Sequence, residues 1–325
     1  MTLVEMLFTL LMYGMVLLLI YWATMRWYIR PRRRLSAEGK AVLVTGCDSG
    51  FGHGIAIRLD KLGFYVYAGC LFPEGEGSKV LQQQCSKRLQ VIKLDVTKQD
   101  EVDFVYEMIS KNLKVLDIEL WGLVNNAGVS VYGLVEWCTM EMYSRVLDVN
   151  LMGVIRVTKA FLPLLRQSKG RITNIGSVMC RSTYAAFSCY AISKHGIEAF
   201  TQCLRKEVRE SGMRVSILEP GNFLQATSLY THDKVNSIAQ ELWKEMSEEC
   251  RKYHNDSFQY IVKIMHDSLN GTSYSNVTPV VDCIEDALLA KDPHLRYLPQ
   301  EFMYQVLGFL VTHLPEELSA KLWTV

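Results

Sequence analysis

The sequence predicts an α/β fold: a doubly wound parallel sheet with helices on both faces. Two observations predict it. Short apolar runs alternate with stretches of helical period from Lys40 to Gly221, and the first run ends in a glycine-rich turn that opens a helix. Composition agrees. The 325 residues are 49% hydrophobic with a net charge of +1, enough apolar material for a core and no reason to expect nucleic acid as a partner.

The elements follow in order. "KAVLVTG" (Lys40 to Gly46) reads as a buried strand, "GIAIRLDKLG" as a helix, and "FYVYAGC" and "LQVIKLDV" as strands. "VDFVYEMISKNL" has helical period, and "LWGLVNNAG" is a strand running into a turn. The stretch from Glu141 to Ser168 is helical and long enough to be bent or divided. "GRITNIGSV" is a strand, "YAISKHGIEAFTQCLRKEVRESG" a helix and "MRVSILEPG" a strand. Right-handed βαβ connections then place ligands beyond the carboxyl ends of the strands. After Gly221 the alternation stops. An amphipathic helical lid spans about 224–278, with apolar Leu224, Leu229 and Trp243 suited to a pocket or a core.

Both ends depart from this pattern. Met6 to Met25 carries no charge and is long enough to span a bilayer as a helix. Tyr21 and Trp22 sit where interfacial aromatics belong, and Arg26, Arg30, Arg32, Arg33 and Arg34 follow. Residues 1–38 are therefore expected to be a membrane anchor and basic linker, with 39–300 as the catalytic domain. The positive flank puts that domain in the cytosol, although sequons at Asn255, Asn270 and Asn276 would suit a lumen. The expected location is the endoplasmic reticulum membrane, with a mitochondrial membrane as the alternative. The tail, 301–325, is apolar and is expected to form a core helix, with a dimer contact or a second membrane contact as the alternatives. The nine cysteines are scattered without a C-x-x-C, which argues against disulfides and zinc and fits a reducing compartment. No metal site is expected.

The turn "TGCDSGFGHG" carries the first chemistry. Gly46, Gly50 and Gly52 allow a tight turn and close approach of a pyrophosphate to a helix N-terminus. The spacing T-G-x-x-x-G-x-G, with "NNAG" (Asn125 to Gly128), "VNLMG" around Asn150, Ser177, "YAISK" and "EPG" (Glu219 to Gly221), resembles the short-chain dehydrogenases/reductases over roughly Lys40 to Tyr230. "VLVTGCDSGFG", "LPLLRQSKGRI" and "EPGNF" are similar to a branch of that family holding hydroxybutyrate, hydroxysteroid and retinol dehydrogenases.

The resemblance implies a nicotinamide cofactor held by Gly46, Asp48, Ser49, Gly50, Phe51, Gly52, Asn125, Ala127, Gly128, Pro220, Gly221 and Phe223. It further implies Asp95 and Val96 at the adenine, Thr227 at the carboxamide, and Tyr190 and Lys194 at the nicotinamide end. It implies a homo-oligomer built through the helices of Asn150 and Tyr190. Tyr190 and Lys194, four apart, share a helical face. A cation there would lower the tyrosine pKa and make a base of it. By resemblance Ser177 holds the substrate oxygen and Asn150 links Lys194 to a relay water. The second strand ends without an acid, yet Glu74 and Glu76 follow and no Lys or Arg appears, so NAD is expected over NADP.

The expected substrate is a lipophilic alcohol, a steroid or retinol. The alternative is a small hydroxy acid such as 3-hydroxybutyrate, its carboxylate met by Gln225, His232, Lys234 or Arg181. An idle nucleotide- or lipid-binding scaffold is the reading from another class. The complete Asn150, Ser177, Tyr190 and Lys194 set argues against it.

Overall fold

The structure is a computed structural model that describes residues 11–22, 33–271 and 273–315. They fall into two units. The smaller holds helix α1 (11–22), residues 33–35 and Ala290–Asp292, where Lys291 N donates to Arg33 O at 2.8 Å. Leu11, Leu17, Leu18 and Trp22 of α1 are exposed. No helix among the described residues is long and apolar enough to cross a membrane. The expected span runs from Met6 to Met25, so residues 6–10 and 23–25 of it lie outside the described residues.

The larger unit is built on seven parallel strands in the order β3-β2-β1-β4-β5-β6-β7. These are β1 (Lys40–Thr45), β2 (Tyr65–Cys70), β3 (Leu89–Lys93), β4 (Glu119–Asn125), β5 (Arg171–Ile175), β6 (Arg214–Leu218) and β7 (Arg296–Tyr297). The central strands are buried almost throughout, which is why they read as continuous apolar runs rather than alternating ones. The order reverses between β1 and β4. Loops on either side of that point part, and a crevice opens at the carboxyl ends.

Helices α2 (Gly50–Lys61), α3 (Glu76–Gln84), α4 (Gln99–Leu116), α5 (Met140–Leu147), α6 (Gly153–Gln167) and α7 (Ser188–Glu207) connect the strands. Val105 and Ile109 of α4 and Phe161 of α6 pack on Leu43 and Leu123 of the sheet. The long helical stretch is divided by a π-helical turn, Asp148–Met152. The lid is α8 (His232–Glu245) and α9 (Glu248–Asn270), which share a second core with Tyr132, Trp137 and Met142.

Three elements were not anticipated. Helix α3 is short and polar, burying only Ser78 and Leu81. Helix α10 (Thr278–Leu289) is anchored by Arg58 of α2 on Asp282 and Glu285 at 2.8 and 2.6 Å. Strand β7 has two residues. The tail forms helix α11 (Phe302–His313). Gln305, Gly308 and Thr312, on one face, line the central cavity, while Phe302 and Phe309 are each 57% exposed. The tail from residue 301 thus contributes to the cavity wall.

Candidate active site

β1 ends at Thr45, and the chain must turn at once to begin α2. Gly46 (φ 69°) and Gly50 (φ 60°) adopt the left-handed backbone that favours glycine. A Cβ on Gly52 would lie 2.2 Å from Gly46 O and 2.5 Å from Asn126 Nδ2. Thr45 Oγ1 accepts the amides of Asn126 and Ala127, both at 3.0 Å. Asn126 Nδ2 donates back to Thr45 O and Gly46 O at 2.8 and 2.9 Å. The turn after β1 is thus locked to the turn after β4. Helix α2 starts here without a capping side chain and without an acid in its first turn, so its first amides and positive dipole end suit an anion.

Tyr190 and Lys194 stand one turn apart on α7, with Lys194 Nζ 5.3 Å from the Tyr190 ring centroid. Lys194 is buried and donates to Ile175 O at 2.8 Å. Burial pushes it down to about 8, against a smaller opposing effect of Cys180. Burial, then Cys180, push the Tyr190 hydroxyl above the usual phenol range, while a hydrogen bond with Ser177 works the other way. The expected lowering of Tyr190 by Lys194 is therefore not what the protein alone produces, because desolvation dominates. Ser177 follows β5, and its hydroxyl accepts Met179 N at 3.2 Å.

Asn150 sits in the π-helical turn, fully buried. Its Oδ1 accepts Val129 N at 2.8 Å, and its Nδ2 donates to Val129 O and Ser193 Oγ at 2.9 and 3.0 Å. Ser193 in turn donates to Tyr190 O at 2.7 Å. Both amide hydrogens are engaged, so Asn150 braces the start of α7 and makes no direct bond to Lys194.

These groups face a cavity of about 1510 Å³. That exceeds the roughly 300–1,000 Å³ of a single-ligand pocket and leaves room for two molecules. Ser177, Tyr190 and Lys194 line it; Asn150 lies behind the wall. Gly46, Asp48, Ser49, Gly50, Phe51, Asp95, Val96, Ala127, Gly128, Pro220, Gly221, Phe223 and Thr227 line it as well. Gly52 and Asn125 do not. Gly52 is buried under the turn. Asn125 Nδ2 points into the sheet, donating to Thr158 Oγ1 and Asn174 Oδ1 at 2.9 and 2.8 Å. Asp95 Oδ1 is fixed by Thr97 N and Oγ1 at 2.9 and 2.8 Å. Burial raises its carboxyl, but the two Thr97 bonds, and then the nearby charges of Lys93 and Lys98, bring it below its ordinary value.

The wall also holds apolar Val129, Val178, Phe187, Leu224 and Leu229, interspersed with Ser130, Ser182, Ser228 and Ser237. Trp243 is absent from it and packs on Phe258 within the lid, ring centroids 4.8 Å apart. Of the four residues considered for a carboxylate, Gln225 and His232 do not reach the cavity. Gln225 donates to Leu269 O and Gly271 O at 3.1 and 2.8 Å, and His232 stacks on His266. Arg181 lines the cavity but is held at 3.0 Å by Glu219, which is wholly buried and also pairs with Arg296. Lys234 lines it and donates to Ser228 O.

The sequence reading missed Asn126, which belongs to "NNAG" but acts through a partner on another loop. It missed Glu219 and α11 for the same reason: their roles come from distant segments. Outside the cavity, Glu136, Cys250 and His254 come together from separate segments, His254 Nε2 lying 2.9 Å from Glu136 Oε2. That pair ties α9 to the loop after β4.

The family profile described as short chain dehydrogenase matches residues 40–234. D-beta-hydroxybutyrate dehydrogenase, mitochondrial, of Mus musculus is 43% identical over 291 residues, covering 89% of this chain and 84% of that protein. The 17-beta-hydroxysteroid dehydrogenase type 6 of Bos taurus is 38% identical over 320 residues, 96% of this chain and 97% of that one. A solved short-chain dehydrogenase from Streptomyces avermitilis superposes with a TM-score of 0.67 at 25% identity, covering 87% of this chain and 95% of its own.

Proposed function

The chain belongs to the short-chain dehydrogenase family, and from that premise we propose that it is a membrane-anchored, NAD-dependent dehydrogenase of a lipophilic secondary alcohol or retinol. It is an oxidoreductase of the class acting on hydroxyl donors. The observation that carries the reading is that Ser177, Tyr190 and Lys194 line one cavity with the glycine turn, and that Val129, Val178, Phe187, Leu224 and Leu229 give that cavity apolar surface.

The residues fit a dinucleotide. The turn closes so tightly that a Cβ at Gly52 would press on Gly46 O, and α2 begins there without a capping side chain on its first amides. Gly46, Ser49, Gly50 and Phe51 would hold the pyrophosphate, Asp95 and Val96 the adenine, Lys194 the nicotinamide ribose and Thr227 the carboxamide. Bound nicotinamide supplies the hydride acceptor in oxidation and the donor in reduction.

The protein handles the proton. Ser177 fixes the substrate oxygen, and the Tyr190 hydroxyl exchanges a proton with it. Burial keeps Tyr190 protonated, so it stands loaded as an acid for carbonyl reduction. Oxidation runs the step in reverse: Tyr190 must first give up its own proton, and the phenolate then takes the alcohol proton as the C–H bond opens. Lys194, at about 8, is mostly cationic at neutral pH and stabilises the phenolate that oxidation needs and that reduction leaves behind. Asn150 keeps the start of α7, and with it Tyr190, in place. Apolar Met152 and Ile192 are exposed on the helices of Asn150 and Tyr190, which supports a homo-oligomer through them. The charge-free segment from Met6 to Met25 supports an anchor that brings the enzyme to lipid-dissolved substrate.

A second reading, oxidation of a small hydroxy acid, is favoured by Lys234, a cation in the cavity wall whose observed partner is a carbonyl. Full-length protein in membranes, given NAD and a steroid, retinol or 3-hydroxybutyrate, separates the two by NADH formation. The first reading expects turnover of the steroid or retinol. Turnover of hydroxybutyrate alone would favour the second. Lys234→Met should then raise KM by about 10- to 100-fold with kcat little changed. Tyr190→Phe should lower kcat by roughly 10²- to 10⁴-fold on any substrate, and an unchanged rate would sink the dehydrogenase reading.

A further inference from the structure

Strand β2 ends at Cys70 without an acid, yet a carboxylate stands at that end. Asp48, from the glycine turn, reaches across and accepts Leu71 N on Oδ2 at 2.9 Å and Phe72 N on Oδ1 at 2.8 Å. Its backbone is fixed as well, since a Cβ on Gly77, in the first turn of α3, would lie 1.9 Å from Asp48 O. The turn after β1, the end of β2 and the start of α3 therefore meet at one residue. Asp48, Leu71, Phe72 and Asp95 all line the same cavity.

In doubly wound folds an acid at the end of the second strand accepts hydrogen bonds from the adenosine ribose hydroxyls. We propose that Asp48 takes over this role from the first turn, and that its carboxylate selects a cofactor with a free 2′-hydroxyl over one with a 2′-phosphate. This assignment rests on the dehydrogenase reading above. A carboxylate offers about four lone-pair positions, and the two amides occupy two of them. Hydroxyl donors can fill the rest. A phosphate dianion there would face a fixed negative charge, with Glu74 and Glu76 on the adjoining segment. One cation comes near: Lys93 Nζ donates to Leu71 O at 3.0 Å and lies 3.7 Å from Glu101. It does not line the cavity.

The test is binding, read by quenching of protein fluorescence with NADH and NADPH, and it needs no substrate. Wild type should bind NADH at least tenfold more tightly. Asp48→Asn should weaken NADH and strengthen NADPH, moving the ratio of the two by about 10- to 100-fold. Equal weakening of both would show that Asp48 only holds the loop and would overturn the assignment. Glu76→Gln should move the ratio less than threefold; a larger shift than that of Asp48→Asn would place the selecting charge on α3 instead. A measurement on the unaltered protein guards against a variant that does not fold. Raising ionic strength from 0.05 to 0.5 M should narrow the wild-type ratio, because the repulsion is screened. Salt that weakens NADPH more than NADH would mean attraction at the 2′-phosphate and would refute the proposal. Wild type preferring NADPH would remove Asp48 as selector and leave the dehydrogenase reading standing. Wild type binding neither nucleotide would overturn both.

Discussion

Lys194 is a charge in a place that opposes charge. Its folded value of about 8 lies below the ordinary lysine value of 10.5. The unfolded chain therefore binds more protons between those two values, and stability rises with pH across that window. Below about pH 8 the full penalty is present; above about 10.5 it is gone. Lys194→Met should abolish turnover yet melt no lower than wild type at pH 7. Its advantage should shrink as the pH is raised from 8 to 10 in thermal melts. A variant that melts far lower at every pH would show that the bond to Ile175 O outweighs the buried charge. The residue identities were legible in sequence, because Y-x-x-x-K on a helix dictates its own spacing. The direction of the Tyr190 shift was not. It depends on desolvation, which only the packed neighbours of the ring reveal.

At the scale of elements, the glycine turn and the "NNAG" turn form one object, joined by four hydrogen bonds between Thr45, Gly46, Asn126 and Ala127. Gly52→Ala should cost about 1–3 kcal/mol in stability, as overpacking against backbone does, and should abolish dinucleotide binding measured by calorimetry. Unaltered binding would mean that the turn relaxes without consequence. Strands with continuous apolar runs and helices with a clear period were readable because burial on both faces leaves that mark. Helix α3 was not, since "EGSKVLQQQ" buries too little to carry a pattern. Asn125 and Asn126 are neighbours in one motif, but the strand's alternation sends the first into the sheet and lets the second reach the turn. Sequence names the motif and not which asparagine lines the cavity.

For the whole molecule, the fold class followed from the alternation of elements, whereas the wall of the cavity did not. Val129, Ser177, Leu229, Lys234 and Thr312 come from segments spread over most of the chain. No local pattern announces that they meet. This is why a lipophilic substrate and a hydroxy acid both survive a reading of the sequence. The topology can be tested separately. Asn255, Asn270 and Asn276 are all exposed in the larger unit. A catalytic domain in the lumen would offer them to glycosylation, whereas the cytosolic placement expects no change in gel mobility after endoglycosidase treatment of protein from mammalian cells. A shift would reverse the orientation.

The position of β1 in the sheet also sets an order of events during synthesis. As the chain leaves the ribosome, β1 can pair with β2, and β2 with β3, early, but the other edge of β1 stays bare until residues Glu119–Asn125 have been made. Until then β1, an interior strand of the finished sheet, is an open edge, the kind that recruits other chains. The hydroxyl of Thr45 likewise waits for the amides of Asn126 and Ala127. A nascent chain stalled before that point has no finished cradle for a ligand to stabilise, and it needs a chaperone more than a cofactor.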